Sequence, residues 1–406
     1  MDSERYLVVS SDCHAGLRPE EYRPYLDPQY REAFDEAVVL QRKMAEEMSK
    51  VMLVEDFNQK YYRENAEKLT GAWDPDVRAR VLDEDGIAAE IIFPDGLTEQ
   101  NTPPFGAGLS LATEGVDPER QWAGARAHNR WLSELCRNAP ERHIGLAVVP
   151  ALWDVEVAVK EVRWARENGL RGILIPPMWG KFPPYNHPRY EPLWNACVEH
   201  DLVVHFHSGP APMQEYFTPN PDGAMPDGAI GIYTAEVCWW LVRPLTFMIG
   251  GGVFERHPKL RVAVTEGSCI WVTEYLELLD HRFGDHHAAA KLGDYSKHLS
   301  LKPSEYFRRN IAVGASVLAR REVELRDAIG QESILWGSDY PHPEGTWPAT
   351  RNHMRESLGG IPEDDIAAML GGNAVRFYGL DAEKLAPLAA RIGPEKALFR
   401  TEGEHA

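Results

Sequence analysis

Asp12 and His14 are the residues of this 406-residue chain that point most directly to chemistry. They follow residues 6–9, an apolar run that predicts the first β-strand. Because side chains alternate along a strand, a carboxylate and an imidazole two positions apart point to the same side. Both groups are ligands of divalent metal ions. The pair therefore predicts one part of a metal site.

Further ligand-type residues come at the ends of other predicted strands. Four strand ends carry a carboxylate, a histidine or both: Asp12 with His14, His205 with His207, Glu266, and Asp339 with His342. We favour His207 over His205 as the metal ligand. His342 lies in a Pro-rich turn, where structural packing and substrate contact both stay open. Glu266 and Asp339 are candidates both for metal binding and for proton transfer.

The elements that would position these residues are short apolar runs separated by amphipathic helical patterns. Continuous apolar runs are typical of parallel strands that are buried on both faces. Eight such strands predict an α/β chain folded as a (β/α)8 TIM barrel, whose active site lies at the C-terminal strand ends. An open doubly wound sheet is less favoured, because no Gly-rich phosphate loop follows an early strand. The runs span residues 6–10, 88–94, 144–149, 172–175, 202–207, 260–265, 311–313 and 333–338.

The domain organisation predicted from these elements is a single barrel domain over residues 1–406. Residues 19–72 form a polar, helical insertion after the first strand. This insertion packs on the outside of the barrel or serves as a lid over its mouth, since long insertions after strands line that face. Residues 374–399 are expected to form C-terminal helices.

Charge and composition exclude several classes of partner. The chain has 43 basic and 62 acidic residues, a formal charge of −19, which argues against nucleic acids and anionic membranes as partners.

No apolar run approaches the roughly 20 residues that span a bilayer, and the N-terminus does not look like a signal peptide. The five cysteines are scattered and form no CxxC pair. We expect a cytoplasmic homo-oligomer that binds a small molecule.

The same residues belong to longer motifs, through which the chain resembles the amidohydrolase-related family. The similar branch includes aminocarboxymuconate semialdehyde decarboxylase and aromatic acid decarboxylases. The resemblance covers nearly the whole chain and implies a (β/α)8 barrel with a divalent metal, held by His14, His207 and Asp339. The matching segments are Ser11–His14, Gly169–Gly172, Pro192–Trp194, His207–Gly209, Gly252–Leu260, Glu266–Gly267 with Trp271, Ser338–His342 and Gly372–Ala374.

Two departures from the family pattern affect the expected metal. Asp12 stands where the family has a histidine or glutamate, and Glu266 stands where it has a histidine. No lysine lies at a strand end, so a lysine-bridged pair of zinc ions is not expected. With Asp339, these residues give a carboxylate-rich site that suits Fe²⁺ or Mn²⁺ as well as Zn²⁺. The site is expected to hold one or two divalent ions.

The leading hypothesis for function is a metal-dependent hydrolase that acts through a metal-activated water. Its metal ligands would be Asp12, His14, His207, Glu266 and Asp339, and its catalytic residues Asp339, Glu266 and His342. The substrate is expected to be a small, apolar or aromatic carboxylate-type molecule. Five tryptophans suggest the aromatic character, although large barrels also use them in packing: Trp179, Trp239, Trp240, Trp271 and Trp347.

Three alternatives stay open. The first is a metal-dependent non-oxidative decarboxylase of an aromatic or unsaturated acid, as the family resemblance allows. The second is an O2-dependent non-haem di-iron oxygenase on the same barrel, which the carboxylate-rich site would suit. The third is an inactive barrel that only binds a ligand, which the ligand-type residues at several strand ends disfavour.

Overall fold

The barrel strands occur where the apolar runs predict them. The computed structural model describes residues 4–52, 54–284 and 289–400. Within this part of the chain, eight parallel strands form one sheet in which each strand pairs with the next. They are β1 (Val9–His14), β2 (Ala89–Phe93), β3 (His143–Val148), β4 (Gly172–Leu174), β5 (Val203–His207), β6 (Val262–Thr265), β7 (Ile311–Ser316) and β8 (Ile334–Gly337). The predicted (β/α)8 barrel is confirmed.

The bounds of the first strand differ from the prediction. Strand β1 begins at Val9 and ends at His14, so Asp12 and His14 lie within the strand and not after it. Past Ser10, β1 continues to pair with β2 at Cys13 and His14 and also bonds to the loop after β8, which a local apolar pattern cannot show. A short strand that was not predicted, Gly96–Glu99, lies outside the barrel sheet.

The last loop closes the barrel on β1. The amide of His14 donates to the carbonyl oxygen of Tyr340 at 2.7 Å, and the amide of Asp339 donates to the carbonyl oxygen of Asp12 at 2.9 Å. The hydroxyl of Ser10 accepts a hydrogen bond from the amide of Ser338 at 2.9 Å. These bonds place the residues that follow β8 directly beside Asp12 and His14.

Helices alternate with the strands and surround the barrel. Three of them precede β2: α1 (Arg31–Met52), α2 (Glu55–Leu69) and α3 (Pro75–Asp85). Those between β2 and β6 are α4 (Pro118–Arg137), α5 (Val155–Glu167), α6 (Glu191–Glu199), α7 (Met213–Phe217), α8 (Ala229–Gly250) and α9 (Val253–Arg256). Those after β6 are α10 (Val272–Arg282), α11 (Ala289–Leu292), α12 (Pro303–Asn310), α13 (Arg320–Glu324), α14 (Arg326–Ile329), α15 (Thr350–Leu358), α16 (Glu363–Ala367), α17 (Asn373–Tyr378) and α18 (Ala382–Ile392).

The insertion after β1 contacts the loop that follows β8. The hydroxyl of Tyr61 on α2 donates to the carbonyl oxygen of Pro341 at 2.9 Å. The hydroxyl of Tyr340 donates to the carbonyl oxygen of Lys68 at 2.5 Å, near the end of the same helix. Helix α2 therefore lies against the residues that follow Asp339. Its role as a lid stays a prediction.

None of the helices in the described residues combines the length and the apolar character that crossing a bilayer requires.

Candidate metal centre

His14 presents one ring nitrogen to a group of carboxylates. Its Nδ1 lies 2.7 Å from the carbonyl oxygen of Pro94, and a carbonyl can only accept, so Nδ1 carries the proton. Its Nε2 is buried without a hydrogen-bond partner. That nitrogen lies 3.3 Å from Asp12 Oδ1 and 3.2 Å from Asp339 Oδ1. Nε2 is thus oriented towards the oxygens that would share a metal with it.

His207, at the end of β5, approaches Asp12 from another side. Its Nδ1 lies 3.1 Å from the carbonyl oxygen of Ser208, and its Nε2 lies 3.4 Å from Asp12 Oδ1. The second oxygen of Asp12 accepts a hydrogen bond from the Ser316 hydroxyl on β7. The ring of Phe93 packs edge-on against the His207 ring, with a centroid distance of 4.6 Å. Residues from β1, β2, β5 and β7 therefore fix these two side chains.

Asp339 and His342 complete the group from the loop after β8. Asp339 has a φ angle of 59°, a left-handed conformation that is uncommon for a residue with a Cβ and clusters at functional sites. His342 Nδ1 lies 3.1 Å from Asp339 Oδ1, and His342 Nε2 lies 2.9 Å from the carbonyl oxygen of Asp95. The His342 ring stacks on the His14 ring at 3.8 Å. This turn conformation directs both side chains at the ligand-type residues of β1.

Glu266 lies on the more open side of the group. It follows β6 with a φ angle of 62°, accepts a hydrogen bond from the Ser208 hydroxyl, and leaves 27% of its side chain exposed. Burial, followed by repulsion from Asp339 and Asp12, raises the pKa of its carboxyl to about 7. Near neutral pH this carboxyl can therefore both hold and release a proton.

The donor set fits a divalent cation. Ligand atoms of Asp12, His14 and His207 lie within 4.8 Å of one another, and so do those of His14, Asp339 and His342. Burial alone would lower the pKa of His14, but Asp12 and Asp339 outweigh it and raise that pKa well above its usual value. Burial would raise the pKa of Asp12, but His207 and His14 outweigh it and lower that pKa. The buried carboxylates thus require positive charge beside them, which protons or a metal ion can supply.

The structure brings the sequence-predicted site residues together and separates them from two other histidines. Asp12, His14, His207, Glu266, Asp339 and His342 all lie in this group. His205 instead places Nε2 3.0 Å from the Tyr378 hydroxyl. His128, on α4, places Nδ1 2.9 Å from the Tyr22 hydroxyl. Metal binding by the individual residues of the group stays a prediction.

Sequence reasoning missed a buried ion pair behind β1. The guanidinium of Arg78 on α3 donates to both carboxylate oxygens of Glu90, at 2.6 and 2.7 Å. Its Nη1 also donates to the carbonyl oxygen of His14 at 2.9 Å. His143 Nδ1 lies 2.8 Å from Glu90 Oε1. The signal for this cluster was available, because Glu90 is a carboxylate inside an apolar strand and such a residue is rarely buried unpaired.

Comparison with known proteins agrees with this arrangement. The profile of the family described as Amidohydrolase matches residues 12–380. The chain belongs to this family. It is 26% identical over 324 residues to 2-amino-3-carboxymuconate-6-semialdehyde decarboxylase of Dictyostelium discoideum, covering 78% of this chain and 79% of that protein. It is also 26% identical over 337 residues to gamma-resorcylate decarboxylase of Rhodococcus jostii, covering 76% of this chain and 91% of that protein.

The fold is also similar to that of solved structures. One is 5-carboxyvanillate decarboxylase of Novosphingobium aromaticivorans in complex with manganese and 4-hydroxy-3-methoxy-5-nitrobenzoic acid. The TM-score is 0.63 at 20% sequence identity, and the match covers 93% of this chain and 97% of that one. At this identity the likeness concerns the fold. The chain is therefore an enzyme of the amidohydrolase superfamily. Its barrel carries a group of side chains that could hold a divalent metal ion.

Proposed function

We propose that this protein is a metal-dependent non-oxidative decarboxylase of an aromatic or unsaturated carboxylic acid. The observation that carries the proposal is the buried group of Asp12, His14, His207 and Asp339, with the proton-holding Glu266 beside it. Two relatives that match most of the chain are named as decarboxylases, which supports this reaction over the hydrolysis expected from the sequence.

The residues can be given roles in this reaction. Asp12, His14, His207 and Asp339 would hold the divalent ion, and Glu266 would stay free to carry a proton. When bound, such an ion supplies positive charge that orients and polarises the oxygens of a substrate carboxylate. Manganese is the first candidate, because a related structure contains it and because a mixed imidazole and carboxylate set suits it.

Decarboxylation also needs a proton at one carbon. The bond between that carbon and the carboxylate breaks, CO2 leaves, and the electron pair left on the carbon takes up a proton. Glu266, whose pKa is raised to about 7, can deliver that proton near neutral pH. Asp339 and His342, 3.1 Å apart, form a second pair through which a proton can pass.

The test is an assay for CO2 under anaerobic conditions. Protein loaded with Mn²⁺ would be incubated with a panel of ortho-hydroxybenzoic acids, and CO2 and the decarboxylated product would be quantified. We expect CO2 and product in equal amounts, and none from a His14→Ala variant. Turnover that consumes O2, or hydrolysis of an ester or amide panel without CO2 release, would reject the proposal.

The di-iron oxygenase is retained as a second candidate because of one observation. Glu266, Asp339 and Glu344 bring three carboxylates together at the open side of the site. Iron accepts such a mixed carboxylate and histidine environment. Two irons per chain and substrate-dependent O2 uptake would favour this candidate.

Self-association and a cytoplasmic location stay predictions. Light scattering of the purified protein measures its self-association.

A further inference from the structure

A cavity of about 410 Å³ lies between the start of the insertion and helices α4 and α5. Its walls are formed by residues 24–28 and Arg31 of the insertion, by the last turns of α4, and by Trp164 near the end of α5. The residues of the metal centre, all of which the structure describes, do not line it. Its volume lies in the range of pockets that bind small organic molecules.

Two of the three arginines that line the cavity lack a charged partner. Arg31, the first residue of α1, donates to the carbonyl oxygens of Leu26 at 3.2 Å and Pro24 at 3.3 Å. Arg137, the last residue of α4, donates to the side-chain oxygen of Asn168 at 3.2 Å. These oxygens are neutral, and in the described part of the chain neither guanidinium pairs with a carboxylate. Both groups can therefore bind an anion.

The two carboxylates of the cavity already have partners. Asp27 is paired with the third arginine, Arg130, whose Nη2 lies 2.9 Å from Asp27 Oδ1. Glu134 accepts a hydrogen bond from the Tyr25 hydroxyl at 2.7 Å. Three arginines and two carboxylates give the cavity a net charge of +1, on a chain whose formal charge is −19. One bound monoanion would make the cavity neutral.

Aromatic and apolar side chains line the cavity beside the arginines. Trp164 and Tyr25 are both partly exposed, and Pro24, Leu26 and Pro28 add apolar surface. Aromatic rings pair with other rings, and a guanidinium binds a carboxylate through two parallel hydrogen bonds. An inorganic anion would use the arginines but not the apolar walls. The lining therefore favours a planar organic carboxylate.

We propose that this cavity binds a small aromatic carboxylate, which pairs with Arg31 or Arg137 and lays its ring against Trp164. Decarboxylation removes the group that the arginines would bind. The cavity is thus expected to bind an aromatic acid and not the decarboxylated compound. This inference goes beyond the proposed reaction and does not depend on it, because binding at the cavity and CO2 release are measured separately.

A ligand in the cavity should stabilise the chain that leads from β1 into the insertion. The wall at residues 24–28 follows Tyr22, whose hydroxyl accepts a hydrogen bond from the amide of Leu17 at 3.2 Å. The same hydroxyl lies 2.9 Å from His128 Nδ1. Leu17 in turn follows His14 by three residues. The cavity is therefore connected through one short segment to the first strand of the metal centre.

The first experiment is a fluorine NMR titration of the full-length protein with 4-fluorobenzoate, as purified and again after removal of metal with a chelator. We expect saturable binding that survives chelation, because the metal-centre residues do not line the cavity. Fluorobenzene, which lacks the carboxylate, should bind at least about tenfold more weakly. Cyclohexanecarboxylate, which lacks the aromatic ring, should compete about threefold more weakly than benzoate.

Two results of this titration would overturn the inference. Binding that disappears with the metal would place 4-fluorobenzoate at the metal centre. Displacement by inorganic phosphate as effective as that by benzoate would show a basic surface that does not recognise the ring.

Amide hydrogen exchange provides a measurement that needs no variant. At ten times the dissociation constant of 4-fluorobenzoate, exchange over residues 19–31 should slow by up to about tenfold, since the ligand must leave before this segment opens. Unchanged exchange over these residues at saturation would reject the cavity as the site.

The variant that isolates the cavity is Arg31→Gln/Arg137→Gln. It removes both unpaired charges and should raise the dissociation constant of 4-fluorobenzoate at least about tenfold. The control is Arg163→Gln/Arg166→Gln, which removes two exposed arginines of α5 that do not line the cavity and should bind as the unaltered protein does. Trp164→Leu should abolish the preference for benzoate over cyclohexanecarboxylate. Unchanged affinity in Arg31→Gln/Arg137→Gln, or an equal loss in the control, would overturn the inference.

Discussion

The hydrogen bond between His14 and Pro94 determines which nitrogen of the histidine faces the carboxylates. Nδ1 donates to the carbonyl oxygen of Pro94 at 2.7 Å, so Nε2 is the nitrogen left for a metal, and it lies 3.2 Å from Asp339 Oδ1. The end of β2 thus orients a side chain of β1 towards the loop after β8. Such outer hydrogen bonds fix both the tautomer and the direction of a metal-binding imidazole.

Replacing His14 should remove the tightly bound metal. In His14→Ala the metal centre loses the nitrogen that lies between Asp12 and Asp339, and metal affinity should fall by at least about 10–100-fold. Metal content after gel filtration, measured by elemental mass spectrometry, checks this. His205→Gln serves as the control, since His205 contacts Tyr378 and not the carboxylates. Full metal retention in His14→Ala would exclude His14 as a ligand.

Breaking the buried ion pair behind β1 should destabilise the protein. Arg78 and Glu90 are both fully buried, so Glu90→Gln leaves the guanidinium without its counter-charge. The free energy of unfolding in urea should fall by about 3–5 kcal/mol. The double variant Arg78→Met/Glu90→Leu removes both charges and should recover much of that loss.

Metal affinity should not recover together with stability in the double variant at Arg78 and Glu90. Arg78 also donates to the carbonyl oxygen of His14, and the double variant lacks this bond. We therefore expect the double variant to bind metal more weakly than its recovered stability would suggest. Equal metal affinity in the double variant and the unaltered protein would show that Arg78 does not position His14.

Acid should destabilise the protein through His128, which is not part of the metal-binding group. Burial lowers the pKa of His128 to about 3, whereas an unfolded chain has a histidine pKa of about 6.5. Between these values the unfolded state binds more protons than the folded state. The contribution of His128 to the free energy of unfolding is therefore complete above about pH 6.5. It is lost as the pH falls towards 3, by up to about 1.4 kcal/mol per pH unit.

Urea unfolding of metal-free protein between pH 7 and pH 5 measures this slope. His128→Gln should be less stable at pH 7, since it loses the bond to Tyr22, but its stability should decline less steeply with acid. The same substitution at the half-exposed His200 is the control. An identical slope in His128→Gln and the unaltered protein would contradict the prediction.

The contact between α2 and the loop after β8 should control opening of the insertion. Tyr61→Phe removes the hydrogen bond to the carbonyl oxygen of Pro341, worth about 1 kcal/mol. Amide hydrogen exchange over Glu55–Leu69 should accelerate roughly fivefold, the factor that corresponds to this energy. Tyr25→Phe, which removes a bond to Glu134 elsewhere on the insertion, should leave exchange in α2 unchanged. Unchanged amide exchange of α2 in Tyr61→Phe would argue against the lid.

Most of the fold could be predicted because burial in parallel strands leaves a local signal. Most of the barrel strands are built on short apolar runs, and the C-terminal ends of such strands meet at one face. Asp12, His207 and Glu266 could therefore be expected to share a site before any contact was known. The bounds of β1 could not, because its polar last residues pair with β2 across a register shift and with the loop after β8.

The sequence by itself determined the barrel, the ligand-type residues at its mouth and the family to which the chain belongs. Only the tertiary structure decided how these residues meet. Closure of the barrel through the amides of His14 and Asp339 sets the last loop beside the first strand. It leaves both oxygens of Asp339 buried and unpartnered, and it brings Glu344 to the same site. These contacts depend on loop conformation and on residues far apart in the chain, which local periodicity does not encode.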